Sequence, residues 1–296
     1  MENKIVENKI VKKQPKFSVA IQSDAYKKLI NNTLGDKDKA QKFIASISSA
    51  VATNPQLQEC ESGSIISGAL LGNALNLSPS PQLGQMYLVP FKNNKKGTIE
   101  AQFILGAKGY KQLAIRSGQY KDIDFIEVRE GEYLGRDEET GKQKFKFISD
   151  DEVRENKPII GYLAYFELLN GFRKQIYWSH TKMLNHADKY SKAFNKKDYE
   201  RLQAGQIPEK DMWKYSSYWY ADFQGMAEKT LYRQLISKYG VMSIDMQDAY
   251  TKDMAVIRED GTPDYVDNDD EETVISDVES IEETSVNDEV NLDEVE

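Results

Sequence analysis

The sequence contains few of the residues that build disulfides and zinc sites. Its 296 residues include one cysteine, Cys60, and two histidines. A single cysteine excludes an internal disulfide, and a structural zinc site needs a full set of Cys and His ligands. We therefore expect Cys60 to be a small buried side chain and expect no zinc site.

Long apolar segments are also absent. No apolar run approaches the roughly 20 residues of a membrane-spanning helix. The N-terminus is polar and carries lysines, without the apolar stretch of a secretion signal. These absences predict a cytoplasmic protein with no membrane partner.

The sequence lacks a credible catalytic constellation. Residues 135–143 are similar to a nucleotide-binding phosphate loop, but the spacing between the glycines is one residue too long and Gln143 replaces the magnesium-binding Ser or Thr. The carboxylates of residues 150–155 lack the strand placement that would direct them at one ion, which favours a solvated charge run. Neither histidine has a serine or cysteine partner at an interpretable spacing. We expect no catalytic residue, no metal ligand and no cofactor.

The formal net charge of −9 hides two regions of opposite charge. Residues 259–296 contain 17 of the 48 acidic residues and neither Lys nor Arg. Residues 1–258 therefore carry 31 acidic and 39 basic residues, a formal charge of +8. A basic body with an acidic tail suits a nucleic-acid binder.

The chain divides into three predicted regions. These are a flexible N-terminal arm (1–22), a folded core (23–250) and an acidic, disordered C-terminal tail (251–296). Helices are predicted over residues 36–53, 64–77, 180–204 and 217–239, and residues 180–204 are also predicted to be basic. Strand patterns cover residues 85–92, 98–105, 123–128, 143–148, 160–168 and 172–178. The predicted fold class is α+β, with short antiparallel strands packed with helices.

Two expectations concern strand order. The strands over residues 123–128 and 143–148 are expected to pair with each other. Residues 160–168 are apolar on both faces, which predicts a central strand. The Asn170-Gly171 pair after it predicts a type I′ turn that returns the chain as the next strand.

Residues 105–128 carry the most informative pattern, a short glycine-opened helix that runs directly into a strand. Lys108, Gln112 and Arg116 are spaced i, i+4 and i+8 and line one helix face, with Lys111 at its border. On spacing alone, a merely solvated basic face is the favoured interpretation.

Glycines delimit this helix. Gly106 and Gly109 near its start allow a backbone to pass close to exposed N–H groups, which suits an anion such as phosphate. Gly118 is expected to end the helix as its C′ residue.

Four blocks of the sequence resemble the RecT-type single-strand DNA annealing proteins of phages and prophages. Residues 105–128 resemble the family's signature segment, and residues 67–79 resemble its helix that ends at a proline. Residues 85–91 resemble the strand that follows, and residues 213–243, with Phe-Gln-Gly-Met-Ala-Glu-Lys-Thr at their centre, resemble its C-terminal helix. The blocks occur in family order over roughly residues 45–245, and several spaced matches are far more specific than one motif.

The resemblance implies an ATP-independent, non-catalytic protein that binds single-stranded DNA and anneals it to a complementary strand in phage homologous recombination. It implies a homo-oligomer, either a ring or a helical filament, in the cytoplasm of a bacterial host. The implied partners are single-stranded DNA, the annealed duplex intermediate, a phage exonuclease and a host single-strand binding protein. Two other functions stay open: a metal-dependent nuclease and a storage protein that stacks bases on aromatic rings.

An annealing protein has to hold phosphates and leave base edges free, because backbone contacts carry no sequence information. We therefore expect most aromatic residues near the C-terminal helix to pack in the core or between subunits, namely Tyr215, Tyr218, Trp219, Tyr220 and Phe223. The predicted phosphate-binding residues are Lys108, Lys111, Gln112, Arg116, Lys142, Lys144, Lys146, Arg173, Lys174, Lys229 and Arg233.

These candidates come from four predicted elements. The signature helix supplies the first four, and the three alternating lysines after it share one strand face. Arg173 and Lys174 follow the turn on opposite strand faces, so only one of them is expected to point at DNA. Lys229 and Arg233 match basic positions of the family's C-terminal helix, where Glu228 departs from the family's frequent lysine.

The sequence predicts where subunits contact each other and leaves the role of the acidic tail open to more than one interpretation. The N-terminal helices and the small-residue helix around Gly68 and Gly72 are the predicted subunit contacts. A solubilising tail is the favoured interpretation of the acidic residues. A DNA mimic that occupies the basic groove, or a docking site for partners, stays open.

Overall fold

The structure is a computed structural model that describes residues 15–265. In chain order its helices are α1 (Phe17–Ala20), α2 (Asp24–Leu34), α3 (Lys37–Thr53), α4 (Ser62–Ala74), α5 (Ala107–Arg116), α6 (Asp151–Glu155), α7 (His180–Tyr190), α8 (Lys196–Gln203), α9 (Tyr218–Ala221), α10 (Phe223–Tyr239) and α11 (Ile244–Lys252). Its strands are β1 (Met86–Asn93), β2 (Thr98–Leu105), β3 (Tyr120–Arg129), β4 (Tyr133–Arg136), β5 (Gln143–Phe145), β6 (Ile159–Leu168), β7 (Arg173–Ser179), β8 (Ala255–Ile257) and β9 (Pro263–Asp264). The predicted α+β class is confirmed. Among the helices of residues 15–265, none has the length and apolar content to span a membrane.

The core begins earlier than predicted. Residues 1–14 of the predicted arm lie outside the described residues, but Phe17 and Ile21 are buried in the core. Two apolar side chains placed one helical turn apart explain this, because they face the same side of α1.

The α3 helix shows how sequence and packing agree. Asp36 caps it by accepting hydrogen bonds from the first-turn N–H groups of Asp38 and Lys39. Its predicted apolar stripe, which includes Ile47 and Val51, is buried. The predicted helix over residues 36–53 is therefore confirmed.

The small residues of α4 are used inside the chain. Gly68 lies against the side chain of Leu88, and Gly72 lies against Met86. Both contacts come from β1, so the small residues let the chain's own sheet approach the helix closely. The expectation that this helix face forms a subunit contact is therefore wrong.

Within residues 15–265 the strands form three antiparallel sheets. Their orders are β1-β2-β8-β9, β3-β6-β7 and β4-β5. β1 and β2 form an antiparallel hairpin, and the predicted central position of β6 is confirmed. On the β3-β6-β7 sheet, α10 packs against β6 and β7, α5 packs beside β3 and α10, and α7 packs against β6 and β7.

The predicted pairing of residues 123–128 with residues 143–148 is wrong. β3 pairs along its length with β6, whereas β5 returns to β4. Gly131, Gly135 and Gly141 adopt positive φ between β3 and β5, which turns the chain into a separate small hairpin. The ten-residue β6 is then the strand that matches β3 in length.

The turn between β6 and β7 also differs from the prediction. The Leu168 N–H donates to the Phe172 carbonyl at 2.8 Å, which closes a three-residue loop. Gly171 has a φ of 84°, but Asn170 does not adopt positive φ. A type I′ turn needs positive φ at both positions, so the Asn-Gly pair located the hairpin correctly and the turn type wrongly.

Two predicted helices are each divided in two. The predicted helix over residues 180–204 is α7 and α8, and the one over residues 217–239 is α9 and α10. Asn195 caps α8 and Asp222 caps α10, each by accepting a backbone N–H. These short polar side chains compete with helix continuation, which explains both breaks.

The core also extends past the predicted boundary at residue 250. β8 pairs with β2, and all three of its residues are buried. The acid-rich composition that begins at Glu259 obscured this short apolar strand. The rest of the predicted tail, residues 266–296, lies outside the described residues.

Truncation tests this boundary. Removing residues 266–296 is expected to leave the thermal unfolding midpoint within about 3 °C of the full chain, because the described core stays whole. Removing residues 251–296 is expected to lower it by about 10 °C or more, because β8 is lost. Circular dichroism melts of both truncated chains measure the difference, and equal midpoints would contradict the new boundary.

Candidate nucleic-acid interface

The start of α5 is closed by the chain's own backbone. The Gly106 N–H donates to the Gln85 carbonyl at 3.0 Å, and a Cβ at Gly109 would collide with the same carbonyl oxygen. The Leu105 N–H donates to a carboxylate oxygen of Asp253 at 2.8 Å. The expected phosphate cradle at Gly106 and Gly109 is therefore wrong, because these glycines admit the segment before β1 instead.

The outer face of α5 carries three of its predicted phosphate-binding residues. Lys108 and Gln112 are exposed. Lys111 forms an ion pair with Asp124 on β3 at 2.7 Å, and both side chains remain more than a third exposed. No local sequence pattern indicates this pair, because only the turn from α5 into β3 brings the two residues together.

Arg116, at the end of α5, has a structural contact. Its Nη1 donates to the carbonyls of Leu75 at 3.0 Å and Asn76 at 3.3 Å. These bonds satisfy carbonyl groups at the end of α4. The Arg116 side chain lies at the exposed surface. Gly118 follows with a φ of 67° and ends the helix as predicted.

Glu228 of α10 lies beside the same lysines. Burial raises the pKa of Glu228, the charge of Lys111 lowers it, and the charge of Asp124 raises it again. Lys108 and Asp222 add weaker effects of opposite sign on that pKa. The charge of Lys111 is therefore balanced by carboxylates from two elements, β3 and α10.

Aromatic side chains border this surface. The ring centroids of Tyr87 and Tyr218 lie 5.8 Å apart. The Tyr87 hydroxyl and the Lys108 side chain both lie against Gly84. Tyr218 is 52% exposed and lies near α5. Trp213, in the segment that precedes α9, is 73% exposed. Both residues therefore offer exposed aromatic surface.

The five predicted aromatic residues lie mainly in the interior. Trp219 and Phe223 are buried, and Tyr220 packs against the core. Tyr215 is half-buried and contacts Tyr220 edge to face at 5.1 Å. The expectation that most of them pack inside the protein is confirmed, and Tyr218 is the exception.

The three alternating lysines project from the β4–β5 hairpin. Lys142, Lys144 and Lys146 are exposed, with half-buried residues between them. Lys144 pairs with Asp137 at 2.6 Å. The lysines therefore share one face, as their alternation predicts.

A buried carboxylate, Glu132, holds this hairpin in place. It accepts hydrogen bonds from the backbone N–H groups of Arg129 at 2.7 Å and Ile148 at 3.1 Å, and from Nε of Arg154 at 2.7 Å. Burial alone would raise the pKa of Glu132, but these hydrogen bonds outweigh it and lower the pKa. No sequence motif indicates this role of Glu132.

Arg173 and Lys174 lie on opposite faces of β7, as predicted. Arg173 forms an ion pair with Glu167 at 2.7 Å on the side of the sheet away from α10. Lys174 places its Nζ 4.2 Å from the ring centroid of Tyr239, at the end of α10.

Lys229 and Arg233 are buried, so the prediction that they bind phosphate is wrong for the folded chain. Both form ion pairs with Asp253, at 3.4 Å from Lys229 and 2.6 Å from Arg233. The Tyr110 hydroxyl donates to the same carboxylate at 3.2 Å. The physical reason is that α10 is covered on two sides, by the sheet and by α5 with the C-terminal segment.

The pKa of Tyr110 fits this role. Burial raises it, and the Asp253 charge raises it further. The hydroxyl therefore keeps its proton and remains a donor to Asp253. Among residues 15–265, no group of three or more His, Cys, Asp or Glu side chains is placed to hold a metal ion.

A family model for RecT proteins matches residues 41–273, which include all of these contacts. The chain belongs to the RecT family. RecT proteins bind single-stranded DNA, form oligomers and anneal strands in DNA recombination, and these general properties come with the membership.

The chain is similar to two curated relatives, one of which is named RecT. The chain is 35% identical over 272 residues to the uncharacterized protein YqaK of Bacillus subtilis. The aligned region covers 90% of this chain and 82% of YqaK. The chain is also 29% identical over 220 residues to the protein RecT of Escherichia coli. That aligned region covers 72% of this chain and 71% of the relative. The similarity therefore extends over most of each relative and is not confined to one motif.

In this RecT chain, removing the Asp253 carboxylate tests the buried network. Asp253→Ala is expected to lower the free energy of unfolding by about 3–5 kcal/mol, because two buried cations lose their shared counter-ion. Asp248→Ala, which removes a more exposed carboxylate paired with Lys252, is expected to cost about 1 kcal/mol or less. Urea unfolding followed by circular dichroism measures both values, and equal costs would contradict the proposed importance of Asp253.

Proposed function

We propose that this protein anneals complementary single strands without ATP and without covalent chemistry. Pairing of complementary strands is favourable, and the obstacle is repulsion between two polyanions. Cations that hold the sugar–phosphate backbone reduce that repulsion and leave the base edges free. The observation that carries the proposal is the outer face of α5, where Lys108 and Lys111 lie within the residues that the RecT family model matches.

Lys111 can exchange its partner. Its ion pair with Asp124 is partly exposed to water, and such pairs contribute about 0–1 kcal/mol. A phosphate that replaces Asp124 therefore costs the protein little. Lys108 is exposed one turn earlier on the same side and supplies a second cation to the same strand.

Cations outside α5 extend this surface in the proposal. Lys142, Lys144 and Lys146 project from the β4–β5 hairpin, and Arg173 lies on β7, whose Gln175 bonds to that hairpin. Lys144 and Arg173 are mostly exposed and, like Lys111, have a carboxylate partner that a phosphate can replace. Gln112 and Arg116 offer further polar contacts on α5, and Lys174 reaches the opposite face of β7.

A storage protein that stacks bases is the second candidate function. The exposed rings of Trp213 and Tyr218 favour it, because base stacking needs open aromatic faces. The burial of Trp219 and Phe223 supports annealing instead, since most of the aromatic surface of this region is in the interior.

Further proposals concern assembly and partners. One subunit offers too few exposed cations to hold a long strand, so we propose a ring or helical filament in which repeated contacts continue the cationic surface. With the α4 face occupied by β1, the helices α1 to α3 are the proposed subunit contact. We also propose a phage exonuclease and a host single-strand binding protein as partners, the annealed duplex as an intermediate, and the bacterial cytoplasm as the location.

Mixing two complementary fluorescent oligonucleotides with the protein, without ATP, tests the function. An annealing protein accelerates pairing, a storage protein slows it, and a nuclease shortens the strands when a divalent metal is present. The double variant Lys108→Ala/Lys111→Ala is expected to lose most of the acceleration. Its log–log dependence of affinity on salt is expected to be shallower by about 1.4, the loss of two phosphate contacts on a single strand.

The matched control for that variant is Lys197→Ala, which removes an exposed lysine of α8. It is expected to change the salt dependence by less than half as much. An unchanged slope in the α5 double variant would overturn the assignment of phosphate contacts to α5, and slower pairing with the unmodified protein would overturn the annealing function.

The pH dependence of DNA binding tests Glu228. Because its pKa is raised, Glu228 loses its negative charge as the pH falls through that value, and the α5 surface becomes more positive. Affinity for a single strand is therefore expected to rise as the pH falls from 7 towards 5. Glu228→Gln should bind about fivefold more tightly at pH 7, the effect of ~1 kcal/mol, and should show a flatter pH profile.

The groups that face Glu228 are Lys108 and Lys111 of α5, Asp124 of β3, and Asp222 and Tyr232 near or on α10. All of them are unchanged in the Glu228→Gln variant. Asp245→Asn, which removes an exposed carboxylate of α11, is the control. If both variants show the same pH profile as the unmodified protein, Glu228 does not control the affinity.

A further inference from the structure

A second basic surface lies in a cavity of about 550 Å³ between α7, β7 and the C-terminal half of α10. Lys182 and Lys189 of α7 and Lys238 of α10 line it, and all three are exposed. We call it the α7–α10 cavity. The predicted basic character of residues 180–204 is the sequence signal for it, but the contributions of α10 and β7 become visible only in the fold.

Aromatic rings hold the lysines of the α7–α10 cavity in place. Lys182 Nζ lies 4.3 Å from the ring centroid of Trp178, and Lys189 Nζ lies 4.7 Å from that of Tyr190. Lys174 Nζ lies 4.2 Å from that of Tyr239, which also lines the cavity. Cation–π contacts of this kind favour particular positions for flexible side chains. The rings thus position ammonium groups at the cavity.

The side chains that line the α7–α10 cavity suit a sugar–phosphate backbone. They include three lysines and the amides Asn185 and Gln234. Lysine ammonium groups are common ligands of phosphate, and amides can bond to sugar oxygens or base edges.

The two basic surfaces lie towards opposite edges of one sheet. In the order β3-β6-β7, α5 packs beside β3, whereas α7 packs against β6 and β7. α10 lies between them, because it packs against α5, β6 and β7. A strand bound along α5 therefore leaves the α7–α10 cavity accessible to another strand.

From this arrangement we infer that the α7–α10 cavity binds the sugar–phosphate backbone of a second DNA strand, the one that is to be paired. The inference rests on the proposed annealing function and adds to it a separate capture site. A second cationic surface raises the local concentration of the incoming strand and screens its repulsion from the first. The residues assigned to it are Lys182, Lys189 and Lys238.

The experiment uses the full chain and two non-complementary oligonucleotides. The protein is first saturated with a donor-labelled strand, and capture of an acceptor-labelled second strand is then measured by energy transfer. The variant is Lys182→Gln/Lys238→Gln, and the charge-matched control is Lys197→Gln/Lys210→Gln, which removes two exposed lysines elsewhere. Thermal unfolding midpoints show that both variants are folded.

The expected result separates the two surfaces. The Lys182→Gln/Lys238→Gln variant should bind the first strand within about twofold of the unmodified protein and capture the second strand about tenfold more weakly. Its annealing rate with a complementary second strand should fall in parallel. The control variant should change neither quantity by more than about twofold.

Other results would overturn the inference. Capture and annealing equal to those of the control would show that the cavity does not bind the second strand. Equal weakening of both strands would make the cavity part of one continuous site. If removing residues 266–296 abolishes the capture defect of the Lys182→Gln/Lys238→Gln variant, the acidic tail, and not a second strand, occupies the α7–α10 cavity. If instead the Lys108→Ala/Lys111→Ala variant binds the first strand as tightly as the unmodified protein, the assignment of phosphate contacts to α5 fails. The assignment of the α7–α10 cavity is tested separately, by capture of the second strand.

Discussion

The buried carboxylate of Asp253 is the contact on which the candidate interface depends. It accepts hydrogen bonds from the Leu105 N–H at the end of β2, from Tyr110 within α5, and from Arg233 on α10. A residue just before β8 thus fixes α5 to α10 and to the C-terminal strand. Because an unpartnered buried charge is costly, these elements are stable only together. This constraint gives Lys108 and Lys111 a defined position on the surface.

The charges on the α5 surface are balanced, and this balance shapes how a strand binds. Lys111 has Asp124 beside it, and Glu228 lies close enough for the charge of Lys111 to lower the pKa of Glu228. A phosphate therefore competes with carboxylates of the protein, and its net gain is smaller than that of a phosphate meeting a bare lysine. In the function we propose, a lysine at the position of Glu228 would remove one competitor, whereas Glu228 weakens the contact and makes it responsive to pH.

Local patterns in the sequence predicted more of the structure than long-range partners did. Periodicity located α3 and α4, alternation located β1, β2 and β6, and Gly118 marked the end of α5. The burial of Lys229 and Arg233 was not predictable, because two cations one turn apart suggest a solvated face until Asp253 folds over them from 24 and 20 residues away. For the same reason the exposed lysines of α5 were identified from sequence, whereas the carboxylates that neutralise them were not.

Many weak phosphate contacts suit annealing better than a few strong ones. In the function we propose, Lys111, Lys144 and Arg173 each exchange a carboxylate partner for a phosphate and regain it when the strand leaves. The net free energy of each contact is then small, and affinity comes from the number of contacts along the strand. A strand held in this way can shift its register and can leave as duplex without a high barrier. Because rings such as Trp219 and Phe223 stabilise the core, pairing is the strongest interaction left to the bases.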